Sequence, residues 1–267
     1  MTRSLRRPDG SGFDRGVFTP DAGRGSRRTM LRVQAATELR LTLRHGEQAL
    51  LSLLIPLVLL VGLTLTDVSA LPQPRVDHVV PGVLALAVMS TAFTGQANGL
   101  GFDRRYGVVR RLAATALPRW LLVAGRLTAV LGVVVVQVVL LSVVAAILGW
   151  APPLSGLGWA LPLVLLGCAA FGALGILLGG TLRAEIVLAL ANVVWFLLLL
   201  GGGILVPLTQ MPGPLAAVAG ALPSGALAEG LRVALVDGAF PGAGPFLVLA
   251  AWAVVAGVAA VRLVKLR

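Results

Sequence analysis

The chain alternates between long apolar runs and short polar ones, and this alternation predicts its fold. A helix needs about 20 predominantly apolar residues to cross the hydrocarbon core of a bilayer. Six runs meet or approach this length, and they cover residues 49–66, 79–101, 121–149, 157–182, 186–206 and 246–264. We therefore predict an all-α polytopic membrane protein with six transmembrane helices.

The segments outside these runs predict three further features. Residues 1–28 are rich in Arg, Gly, Ser, Asp and Pro, which is typical of a disordered tail, before a transmembrane domain at 29–267. Residues 29–47 alternate leucine with charge, which predicts an interfacial helix. Prolines punctuate residues 208–245, and we predict short outer helices there, between the fifth and sixth spans.

The distribution of charge predicts the orientation of the chain. The sequence is 57% hydrophobic and 12% charged, with a formal net charge of +11. With six spans, only Arg75 and Arg232 of the 22 basic residues fall on one side, and cytoplasmic loops are the ones that collect Arg and Lys. We therefore predict a bacterial plasma membrane protein with both termini cytoplasmic, and its positive charge requires no nucleic acid. Arg232 can pair with Glu229 on one helix face, and Arg126 can extend to the inner headgroups.

A basic segment, residues 103–119, separates the second and third predicted spans. Read as a helix, it has one apolar face, with most of its arginines outside that face. It predicts a short amphipathic helix on the cytoplasmic surface that docks a partner, or else one that anchors the loop to anionic lipid. The candidate docking residues are Asp103, Arg104, Arg105, Gly107, Arg110, Arg111 and Leu112.

The sequence offers no catalytic or metal-binding constellation. Its single lysine, Lys265, excludes a GxxxxGK[ST] phosphate loop, and no HExxH motif or Cys/His cluster is present. Every predicted span lacks an interior carboxylate, which disfavours a proton-coupled carrier and puts the energy source outside the chain. Four amides lie in or near the spans, as interhelical hydrogen bonds or as a lining for an amphipathic cargo: Gln96, Asn98, Gln137 and Asn192.

These features resemble the permease subunit of type-2 ATP-binding-cassette (ABC) exporters. That family's segment between spans two and three is similar to this one at Asp103-Arg104, Gly107, Arg110-Arg111, Leu112, Thr115, Pro118, Arg119-Trp120 and Gly125-Arg126. Residues 222–232 resemble the family's stretch before its last span. The chain departs from the family pattern at Arg105, where an acid is common, and at Pro118, which comes slightly late.

The resemblance implies a fold and a set of partners. It implies two facing six-span subunits, as a homodimer or with a paralogous permease. It also implies separate cytoplasmic ATPase subunits that hold ATP and Mg²⁺, so this chain needs no cofactor and is not an enzyme. The segment from Asp103 to Leu112 would be the cytoplasmic coupling helix, and the cargo would be a lipophilic drug, lipid or natural product. Two alternatives remain, a non-transporting scaffold or sensor and a self-contained secondary carrier.

Overall fold

A computed structural model describes residues 29–33, 36–37, 46–66, 73–108 and 119–264, and this part of the chain contains helices and no strand. Residues 29–33 are helical, and most of the predicted interfacial helix at 29–47 lies outside the described residues. Within these residues eight further helices are described: α1 Gly46–Leu65, α2 Arg75–Arg105, α3 Arg119–Ile147, α4 Leu154–Thr181, α5 Ala184–Gly201, α6 Gly213–Ala221, α7 Pro223–Leu235 and α8 Ala243–Leu263, with a single 3-10 turn at Leu208–Gln210.

Five of these helices are long and apolar enough to cross a membrane, namely α2, α3, α4, α5 and α8. They lie where five of the six spans are predicted, so the chain is a multi-pass membrane protein. The remaining predicted span, 49–66, corresponds to α1, whose side chains the structure describes from Leu53 onward; the stretch Leu53–Leu65 is by itself shorter than a full crossing. The count of six spans stays a prediction.

Helix α2 is longer than the predicted span at 79–101. It begins at Arg75, so the end of the predicted outer loop is its first turn, and Asp77 there complements the positive end of the helix dipole. It continues through Asp103 to Arg105, so the start of the basic segment is the last turn of α2 and not a separate surface helix. Gly107, with φ of +74°, ends the helix in a conformation that glycine adopts without strain.

Helix α4 is the central element of the described fold, and it packs against α2, α7 and α8. Gly175 and Gly179 let it approach α2 closely, because a Cβ atom there would lie 2.5 Å and 2.4 Å from the backbone oxygens of Phe93 and Ala97. Small residues four positions apart commonly allow such close approach between membrane helices. Gly95 and Gly99 on α2 have the same spacing but make no such approach among the described residues, because a Cβ atom on Gly99 would meet nothing within 4 Å.

One turn of α2 departs from α-helical geometry. Residues Ser90–Gly95 form a π-helical segment near the middle of α2, which shifts the faces of the two flanking α-helical parts. Two successive side chains of this segment reach different helices. Ser90 accepts a hydrogen bond from the indole nitrogen of Trp195 in α5 at 2.9 Å, and Thr91 donates one to the side-chain oxygen of Gln137 in α3 at 2.7 Å.

Two short helices, α6 and α7, occupy the proline-punctuated stretch before α8. Helix α7 packs against α2, α4 and α8, and Leu227, Leu231 and Leu235 along it are almost wholly buried. We call the end of the bundle that carries α7 the Arg232 end. The opposite end, where α2 finishes, is the Asp103 end.

Candidate functional site

The last three residues of α2 each bond to a different neighbouring helix. Asp103 pairs with Arg126 of α3, Arg104 bonds the end of α4, and Arg105 pairs with a residue at the start of α5. Successive residues of a helix point about 100° apart, so three in a row at one helix end can reach three neighbours. We call Asp103, Arg104, Arg105 and their partners the three-helix junction.

The first contact is a largely buried ion pair. A guanidinium nitrogen of Arg126 donates to a carboxylate oxygen of Asp103, and the two side chains are 9% and 34% exposed. The prediction that Arg126 extends to the inner headgroups is therefore wrong. An unpaired charge in this apolar setting would cost several kcal/mol, so Arg126 pairs with the carboxylate on the adjacent helix.

The second contact caps a helix. Arg104 donates from Nη1 to the backbone oxygens of Gly179 at 3.2 Å and of Leu182 at 2.9 Å, at the C-terminal end of α4. The last carbonyls of a helix have no partner within the helix, and they form the negative end of its dipole. Arg104 supplies both a hydrogen-bond donor and a positive charge there, and this joins α2 firmly to α4.

The third contact lies at the surface. Arg105 pairs with Glu185 in the first turn of α5 at 2.9 Å, and the two side chains are 54% and 66% exposed. Just beyond it, the side chains of Tyr106 and Val108 are both exposed. The junction thus runs from a buried pair at Arg126 to an accessible edge at Tyr106 and Val108.

The predicted docking residues divide into two groups. Asp103, Arg104 and Arg105 bond within the chain, and Gly107 ends α2, while Arg110, Arg111 and Leu112 lie outside the described residues. Their binding of a partner stays a prediction. The intramolecular partners of Asp103, Arg104 and Arg105 were not predicted, although opposite charges near the same ends of neighbouring spans were a usable signal for Arg126 and Glu185.

The four predicted amides are not gathered into one lining within the described chain. Gln137 is buried and accepts a hydrogen bond from Thr91 on α2. An interhelical hydrogen bond is one of the two roles that the sequence predicts for this residue. Asn192 is exposed on α5 and donates to the backbone oxygen of Leu188 in its own helix. The side-chain oxygens of Gln96 and Asn98 are buried without a hydrogen-bond partner among the described residues.

At the Arg232 end, Arg232 closes a second polar cluster. It pairs with Glu229 at 3.0 Å, as predicted, and donates from Nη2 to the backbone oxygens of Gly203 at 2.6 Å and Ile204 at 2.9 Å. Burial lowers the pKa of Arg232 from its ordinary value, and the carboxylate of Glu229 acts in the opposite direction. These bonds attach the loop after α5 to α7, beside a cavity of about 310 Å³.

Comparison with known proteins assigns these features to a family. The family model described as ABC-2 type transporter matches residues 27–236, which include the whole three-helix junction. A protein of Bacillus subtilis (strain 168), YvfS, is named as a transport permease and is 25% identical over 205 residues, which cover 73% of this chain and 81% of that protein. With membrane-spanning helices and a family match over most of its length, the chain belongs to the ABC-2 type transporters as a membrane permease.

Proposed function

We propose that the chain is the transmembrane subunit of an ATP-driven exporter and that a separate cytoplasmic ABC ATPase acts on it at the Asp103 end. The three-helix junction carries this proposal. Family membership supports an ATPase partner in general terms, and the junction supplies a place where a force on one short segment acts on three helices. In this account the chain itself is not catalytic, and ATP and Mg²⁺ are held by the partner.

The strengths of the three contacts suit such a role. The Asp103–Arg126 pair and the Arg104 cap are partly shielded from water, so they resist separation more than an exposed pair does and make α3 and α4 follow the end of α2. The Arg105–Glu185 pair is exposed and weak, so α5 can part from α2 at low cost. A displacement of the basic segment would therefore move α3 and α4 with α2 and change their position relative to α5.

The proposal also includes the orientation of the chain and its location in the cell. The concentration of arginine in the basic segment supports a cytoplasmic Asp103 end, and with six spans both termini would be cytoplasmic too. The similarity to a Bacillus subtilis protein supports a bacterial plasma membrane location. A dimer of two such subunits would form the transport path.

Because the described spans expose mainly apolar side chains, with few amides, a lipophilic drug, lipid or natural product suits them as cargo.

The test reverses charge in the basic segment. The full chain is co-expressed with its ABC ATPase, and Arg110→Glu with Arg111→Glu is compared with Arg262→Glu, which reverses an exposed charge in the last turn of α8 at the same end. We expect the double variant to lose both co-purifying ATPase and ATP-dependent transport. The two arginines would face acidic residues of the ATPase, and the glutamates that replace them would be repelled by those residues. The Arg262→Glu variant should retain both.

Two results would reject the proposal. One is normal ATPase co-purification and transport by the double variant when it is inserted normally in the membrane. The other is ATP-independent transport driven by a proton gradient, which would favour a self-contained carrier.

A further inference from the structure

The cavity at the Arg232 end has two chemically distinct walls. One wall is apolar and is built by α1 and α2, with Leu59, Leu63, Val83 and Leu86 among its residues. The other is built by the loop after α5, by α7 and by the turn that follows α7, and it carries most of the polar residues: Thr209, Gln210, Glu229, Arg232 and Asp237. His78, near the start of α2, lies on the first wall. The volume of about 310 Å³ is at the lower end for small-molecule pockets, so a ligand with a small ring and a short chain would fit.

The charges on the polar wall do not balance. Arg232 bonds Glu229 and two backbone oxygens, so its positive charge and both terminal nitrogens are already engaged. The carboxylate of Asp237 is exposed and makes no hydrogen bond or ion pair with any residue that the structure describes. The charges of Arg232 and Glu229 cancel, so Asp237 leaves a net negative charge at this edge of the cavity.

We propose that this cavity is a binding site for a small amphiphilic cation, whose apolar part lies against α1 and α2 and whose ammonium group faces Asp237. An anionic head would be repelled by Asp237 and could reach Arg232 only by displacing its present partners. A neutral head would gain the apolar contacts but not the ion pair. The site therefore ranks ligands of equal apolar size as ammonium first, neutral next and carboxylate last.

The experiment measures protection of a cavity cysteine in intact cells. The full chain carries Cys168→Ala, which removes its buried and only cysteine, together with Thr209→Cys on the polar wall. A membrane-impermeant maleimide labels the protein in the presence of 4-phenylbutylamine, 4-phenylbutanol or 4-phenylbutyrate, which share their apolar part. Ala151→Cys, in the exposed turn between α3 and α4, is the control for general effects on labelling.

We expect the amine to protect Thr209→Cys at the lowest concentration and the carboxylate at the highest, with no probe protecting Ala151→Cys. Adding Asp237→Asn should raise the half-protecting concentration of the amine about threefold and leave that of the alcohol unchanged, as for loss of one exposed ion pair. Adding Leu205→Trp, at a lining residue that is itself exposed, should weaken protection by all three probes.

The proposal is overturned if Thr209→Cys is not labelled while Ala151→Cys is, or if the three probes protect equally. It is also overturned if the amine keeps its advantage in the Asp237→Asn variant. None of these labelling measurements involves the ATPase. The cavity proposal shares with the proposed function only the orientation of the chain, which labelling of Ala151→Cys reports separately.

Discussion

Asp103 and Arg126 lie 23 positions apart on adjacent helices and form an ion pair in which Arg126 is almost wholly buried. The pair fixes the last turn of α2 to α3 near the point where the basic segment begins. Buried pairs of this kind add little net stability compared with apolar residues, but removing one partner leaves an unpaired charge in an apolar setting. Substitutions at Asp103, Arg105 and Arg126 measure how far burial sets the cost of breaking such a pair.

Asp103→Asn should destabilise the protein by roughly 3 kcal/mol, at the lower end of the range for a broken buried pair because Asp103 is partly exposed. Arg105→Ala should cost less than about 1 kcal/mol, because its pair with Glu185 is exposed. Unfolding of the purified full chain in mixed micelles measures both. The double variant Asp103→Asn with Arg126→Met should recover most of the loss. Equal effects of the two single substitutions would show that burial does not set the strength of these pairs.

Arg104→Met should loosen the end of α4, because the backbone oxygens of Gly179 and Leu182 lose their charged donor. We expect faster amide exchange in residues 178–182, measured by hydrogen–deuterium exchange with mass spectrometry. Arg262→Met, at an exposed arginine on α8, is the matched control and should leave this peptide unchanged. Unaltered exchange in the Arg104→Met variant would show that the cap does not hold this turn.

Gly179→Ala should cost about 1–3 kcal/mol, because the added methyl group would press against the backbone oxygen of Ala97 and force α4 away from α2. Gly158→Ala in the same helix should be neutral or slightly stabilising, since no atom lies within 4 Å of the new methyl and alanine favours helix. Comparing the two unfolding free energies removes the effect of helix propensity. Similar values would contradict the close packing of the two helices.

Most of the helical framework could be predicted from hydrophobicity alone. The predicted spans at 121–149 and 157–182 differ from α3 and α4 by only a few residues at each end, because Trp150 and the prolines at 152 and 153 punctuate the sequence clearly. The ends of α2 could not be predicted in the same way. Charged residues such as Asp103 indicate the end of a span in hydrocarbon, but a helix can continue beyond the membrane.

The pairing within the site was harder to predict. Hydrophobic periodicity gives the face on which a residue lies, but it does not say which helices are neighbours, so Arg126 could be assigned either to lipid headgroups or to Asp103. The π-helical segment also carries no sequence signature, and it directs Ser90 and Thr91 towards different helices. By contrast, Glu229 and Arg232 lie three residues apart in one helix, and local spacing predicted their pair correctly.

Thr91→Val and Gln137→Leu should be strongly non-additive. Either substitution alone removes one side of the Thr91–Gln137 hydrogen bond and leaves the buried polar group on the other side, whereas the double variant removes both groups. Because hydrogen bonds between membrane helices couple by about 0.6–1.7 kcal/mol, we expect a coupling energy in that range from a double-mutant cycle of unfolding free energies. Additive effects would mean that the bond does not join α2 to α3.

The central claim is that the ATPase acts at the Asp103 end, and two exposed aromatic residues at opposite ends of the bundle test it. Tyr106 follows the three-helix junction and is 69% exposed, while Phe240 lies at the Arg232 end and is 53% exposed. Each is replaced in turn by the photo-crosslinking amino acid benzoylphenylalanine, in cells that also express the ABC ATPase. We predict a crosslink to the ATPase from position 106 and none from position 240. A crosslink from position 240, or none from position 106 while the ATPase co-purifies, would contradict the account.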